Sequence, residues 1–191
     1  MRLRTAHTGT GYLLGISLLM LGTTPGPATQ KSTLRLDPES VSQSITRRGP
    51  RAVLDELFKD PSAWDALTKG ISSGDERWLC IAKRFQGTAE AGGAQELQIA
   101  VGYALERNPQ GVLRLLRDGF STASAVCGCE GIEDGLGGDF DKALGIVGRR
   151  RAAVAKASAA ELEAQRRDCL RWLDRLEGKI RHHERDWFAP H

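Results

Sequence analysis

Apolar residues recur along this chain at intervals of three, four and seven with polar residues between them, the spacing that lays a stripe along one side of a helix. The pattern is clearest near the C-terminus, where Leu162, Cys169, Leu173, Leu176 and Ile180 fall within about 40 degrees of one direction at 100 degrees per residue. Upstream, Val53, Leu54, Leu57 and Phe58 predict a short helix opened by Pro50. Asp60-Pro61 closes it and starts another carrying Trp64, Leu67 and Ile71, since Asp can cap and Pro needs no N–H donor in a first turn. Ser73 and Glu76 have capping-box spacing ahead of Trp78, Ile81, Ala82 and Phe85. Gly87 and Gly92-Gly93 mark the end of that helix.

A further helix over 94–107 presents Leu97, Val101, Ala104 and Leu105, and Asn108-Pro109 separates it from Val112, Leu113 and Leu116. Helix resumes at Asp139 with Phe140, Ala143, Leu144 and Val147 on its buried side and runs through Arg149-Arg150-Arg151, read as a solvated face, to Ala157. Ser158 with Glu161 forms a second capping-box pattern before the last stripe. No run of alternating β-branched residues occurs, so the chain reads as all-α, with seven or eight short helices stacked as antiparallel pairs. That arrangement is repeat-like, although no tetratricopeptide or ankyrin register carries across successive units. Between Cys127 and Gly138 the glycines 128, 131, 135, 137 and 138 leave one Gly-rich loop.

The N-terminus has a different pattern. Arg2 and Arg4 precede an apolar run from Tyr12 to Leu21 that gives way to Thr23-Thr24-Pro25-Gly26-Pro27-Ala28, the parts of a secretory signal peptide. The run is too short to span a bilayer, which needs about 20 residues, so no stable membrane span is expected once residues 1–28 are removed. Residues 29–48 are polar and are read as a flexible arm, and residues 49–191 as a single helical domain. Cleavage after Ala28 leaves 25 Lys plus Arg against 24 Asp plus Glu, a balance that gives no argument for a nucleic-acid partner.

Export changes the reading of the cysteines. Cys80, Cys127, Cys129 and Cys169 are an even set, which in an oxidising compartment favours disulfides over metal thiolates or a redox couple. Four cysteines allow three pairings; Cys127 and Cys129 are too close to join without strain, so each is expected to reach a distant partner. Cys127 to Cys169 is the first expectation and Cys80 to Cys129 the second, which would pin the Gly-rich loop to the helices on either side.

The remaining motifs carry little chemistry. The Gly-rich loop lacks the strand and the third glycine of a dinucleotide fingerprint, and no Gly-Lys-Ser or Gly-Lys-Thr occurs. Its acids do not have EF-hand spacing, and His182-His183 point about 100 degrees apart on a helix, so neither a cofactor nor a metal is expected. All four His lie at 7, 182, 183 and 191, leaving no central base for a Ser or Cys hydrolase, and no catalytic residue is assigned. Trp64 and Trp78 sit on apolar helix edges as core residues, whereas Trp172, about 80 degrees off the last stripe, and Trp187-Phe188 are candidate contacts for a partner. The chain therefore reads as an exported, non-catalytic helical protein that binds a protein or peptide. The alternative is a cell-envelope enzyme, a glycan or wall-polymer hydrolase using the acids Glu133, Asp134 and Asp139.

Overall fold

In the computed structural model, residues 36–128 and 139–187 are described, excepting the side chains of 183–187, and the described residues belong to one compact unit. Among them are nine α-helices and one 3-10 turn, with no strand. None is long and apolar enough to cross a membrane. The signal-like residues 1–28 and the Gly-rich segment 129–138 lie outside the described residues.

The first helix, α1 (Pro38–Arg48), replaces most of the expected arm. Its start uses the same Asp-Pro device as Asp60-Pro61: Asp37 accepts from the Ser40 backbone N–H at 2.9 Å, and Pro38 occupies the first turn. Only Val41 and Ile45 are apolar along its length, yet both are buried, and Ser44 is accommodated by donating its hydroxyl to the Ser40 carbonyl at 2.8 Å. Two apolar residues spaced i, i+4 form too weak a stripe to stand out among serines. Their partners, α2 (Pro50–Lys59) and α4 (Glu76–Phe85), are what make this segment a helix.

Helix α3 (Pro61–Ser72) is capped by Asp60 as expected. The Ser73–Glu76 capping box does not form. Gly74, at φ +76, turns the chain so that Asp75 caps α4 instead, accepting from the Arg77 backbone N–H at 2.8 Å. Helix α5 (Ala91–Ala104) begins before the Gly92-Gly93 pair rather than after it, and its Gly93 faces Phe58 and Trp64. Asn108 caps α6 (Pro109–Arg117), accepting from Gly111 N–H at 2.8 Å. The short α7 (Ala123–Cys127), capped by Thr122, is one turn too brief to show a period. Asp139 caps α8 (Phe140–Lys156), and the expected Ser158 box gives way to a 3-10 turn, Ala160–Leu162, leading directly into α9 (Glu163–Trp187).

The core runs from Val41 to Ile180 and includes the whole stripe of the last helix: Leu162, Cys169, Leu173, Leu176 and Ile180 are at most 2% exposed. Helix α9 packs along α8 and against α7, while α3 rests on α5. The Arg149-Arg150-Arg151 run corrects another expectation, for Arg150 is 0% exposed and lies over the Tyr103 ring at 4.7 Å. Its neighbours are ion-paired, Arg149 to Glu106 at 2.8 Å and Arg151 to Asp174 at 2.6 Å, so the run joins α8 to α5 and α9 rather than facing solvent alone.

Candidate functional site

A cleft of about 740 Å³ opens between α5, α7 and α9. Its α9 wall is made by Trp172, Arg175, Leu176 and Lys179, spaced i, i+3, i+4 and i+7 and so contiguous on one face. This face is rotated from the buried stripe, which is why Trp172 is only partly buried while Leu173 beside it is fully buried. Opposite stand Gln95, Gln98 and Ile99 of α5, again at i, i+3, i+4. Ser124, Ala125 and Gly128 complete the lining from α7 and the residue after it.

A covalent link holds two of these walls together. Cys127 at the end of α7 is bonded to Cys169 of α9, with both cysteines buried and their Cα atoms 5.3 Å apart. A helix of five residues has little stability of its own, and the bridge fixes it against the longest helix in the fold. Immediately after Cys127, Gly128 lets the backbone close on the indole: a Cβ there would lie 2.9 Å from the Ser124 carbonyl oxygen and 3.3 Å from Cε3 of Trp172. The close approach sets the position of the Trp172 ring in the α9 wall of the cleft.

The other bridge expected from the sequence is not made. Cys80 is an exposed free cysteine, because α4 turns Trp78, Leu79, Ile81, Ala82 and Phe85 inward and leaves position 80 facing solvent. Cys129 lies outside the described residues. So do Glu133 and Asp134, while the exposed Asp139 uses its carboxylate to accept the Lys142 N–H at 3.0 Å as the cap of α8. Among the three aromatic residues singled out for partner contact, Trp172 lines the cleft; Trp187 ends α9 with an undescribed side chain, and Phe188 falls beyond the described residues. No three His, Cys, Asp or Glu side chains cluster at metal-binding distance among the described residues.

The electrostatics of the cleft are set by cations. The Arg175 guanidinium carbon sits over the Trp172 ring, 4.6 Å from its centroid, a cation–π contact. Lys179 follows one turn later. The neighbouring Glu177 points away from the cleft, where the hydrogen bond from Arg181 and then the charge of Arg151 hold its carboxyl below the ordinary value of 4.5 despite partial desolvation. Arg175, Lys179, Gln95 and Gln98 were not legible as a site in the sequence, since their relation depends on how α5 meets α9. The i, i+3, i+7 spacing of Trp172, Arg175 and Lys179 was the one available signal. Comparison with protein-family models, with curated proteins and with solved structures finds no match for this chain.

Proposed function

We propose that this protein is an exported, non-catalytic helical binding protein whose cleft between α5, α7 and α9 takes a peptide segment of a partner. The observation that carries this reading is the composition of the cleft: an indole bearing a stacked guanidinium on one wall faces two carboxamides on the other. Carboxamides both donate and accept, which suits a peptide backbone, and a half-buried Trp offers the flat apolar surface typical of anchoring sites. A volume of about 740 Å³ is in the range of clefts that receive a ligand. Export is supported by the charged, apolar and small-residue succession over residues 1–28 and by the Cys127–Cys169 disulfide, a bond that persists in oxidising compartments.

Two measurements test the reading. A random dodecapeptide library selected on the oxidised chain should yield peptides retained by the wild type and lost on Trp172→Ala and on Gln98→Ala. Equal retention on all three proteins places any binding elsewhere and removes the cleft from the account. Intact mass of the exported form should correspond to a chain without residues 1–28, whereas a full-length species as the sole form contradicts export by cleavage.

A further inference from the structure

The cleft carries two positive charges, Arg175 and Lys179, that no carboxylate among the described residues pairs. From this we infer that its ligand is an acidic peptide segment, in which Asp or Glu side chains alternate with aliphatic or aromatic ones; the inference rests on the peptide-binding reading above. The argument begins with where the carboxylates go. On α9, Glu163 is held by Arg166 at 2.8 Å, Asp168 by Arg171, Asp174 by Arg151 at 2.6 Å, and Glu177 by Arg151 and Arg181. Across the cleft on α5, Glu96 accepts from the Trp64 indole N–H and is directed toward α3. Arg175 and Lys179 make no ion pair among the described residues, although thirteen arginine–carboxylate pairs form elsewhere among them.

Geometry then selects the form of the anion. The Arg175 guanidinium lies over the Trp172 ring, and a guanidinium can bind a carboxylate with two parallel hydrogen bonds. Lys179 lies one helical turn further, about 6 Å along the axis. Alternate side chains of an extended peptide are spaced by about 6.6 Å on one side, so two acids at positions i and i+2 can meet the two cations together. Leu176, Ile99 and Ala125 give the same cleft apolar lining, with Leu176 buried. An apolar neighbour of the acid therefore has a surface to cover, and Gln95 and Gln98 are placed to pair with the peptide backbone.

The test uses the full oxidised chain and synthetic peptides made from the sequences enriched in the dodecapeptide selection. Expected is enrichment of Asp or Glu next to an aliphatic or aromatic residue, weakening of binding by about tenfold when those acids become Gln or Asn, and weakening with added salt. On the exposed-face double variant Arg175→Gln/Lys179→Gln, the same acid-to-amide change should alter binding by less than about twofold, the coupling expected of a direct contact. Native circular dichroism and recovery of the Cys127–Cys169 linked peptide verify that the variant is folded. Trp172-dependent peptides that bind equally well after loss of their acids would overturn the acidic class while leaving peptide binding intact. Absence of any Trp172-dependent peptide overturns the inference together with the reading it rests on. Binding to phosphatidylglycerol vesicles that persists in the double variant and displaces the peptides also overturns it, in favour of a membrane surface.

Discussion

Trp78 of α4 lies directly over Gly70 of α3, so closely that a Cβ on Gly70 would stand 2.6 Å from Cε2 of the indole and 2.8 Å from Cδ2. In isolation, replacing a helical Gly by Ala gains about 1 kcal/mol of helix propensity. Here the added methyl meets ring carbons of a large, mostly buried side chain, so something must shift. Gly70→Ala should therefore destabilise by about 1–3 kcal/mol. Gly148→Ala, on the exposed side of α8 with open space around it, should stabilise by up to about 1 kcal/mol. Urea denaturation of both variants checks the contrast in sign, and a gain at Gly70 would contradict the crossing.

Leu173 is fully buried at the centre of the α9 stripe. Leu173→Ala is expected to cost about 2–5 kcal/mol, from lost transfer free energy and from the cavity left behind. A change below about 0.5 kcal/mol in the same denaturation assay is the behaviour of a surface position and would refute its place in the core.

The disulfide closes a loop with a sequence separation of 42 residues. Constraining the unfolded chain over that length corresponds to about 4 kcal/mol, so Cys127→Ala/Cys169→Ala should lose much of that stability and loosen the α7 wall of the cleft. Iodoacetamide applied to the native oxidised protein should label Cys80 and leave Cys127 and Cys169 in one linked peptide. Labelling of Cys169 before denaturation would show that the bridge is absent.

Glu177 predicts an acid-dependent component of stability. Its carboxyl is held below 4.5, first by the hydrogen bond from Arg181 and then by Arg151, so the folded chain binds this proton more weakly than the unfolded chain. The resulting stabilisation is fully present above pH 4.5 and is lost as pH falls through the depressed folded value. The melting temperature of Glu177→Gln should accordingly lie below wild type at neutral pH and converge on it in acid. High salt should narrow the neutral-pH gap, because the ion pairs are partly exposed. A gap that does not change with pH would assign the effect to shape rather than charge.

The sequence by itself determined the all-α class, the cap at Asp60, the helix starts at Asn108-Pro109 and Asp139, and the residues of the α9 stripe. These depend on neighbours within a few positions, because an i, i+4 spacing or an Asp before a Pro acts within one turn. Where the local signal was weak or divided, tertiary packing decided the outcome. Val41 and Ile45 make α1 a helix only because α2 and α4 cover them, Asp75 displaces Ser73 as a cap once Gly74 turns the chain, and Arg150 enters the core where Tyr103 supplies a ring to lie on. The cleft belongs to this second group. Trp172 was legible as an aromatic off the buried stripe, but Gln95, Gln98, Arg175 and Lys179 come from segments some eighty residues apart. What joins them is the packing of α7 between α5 and α9 under the Cys127–Cys169 bond, and no local periodicity encodes the meeting of surfaces so far apart in the chain.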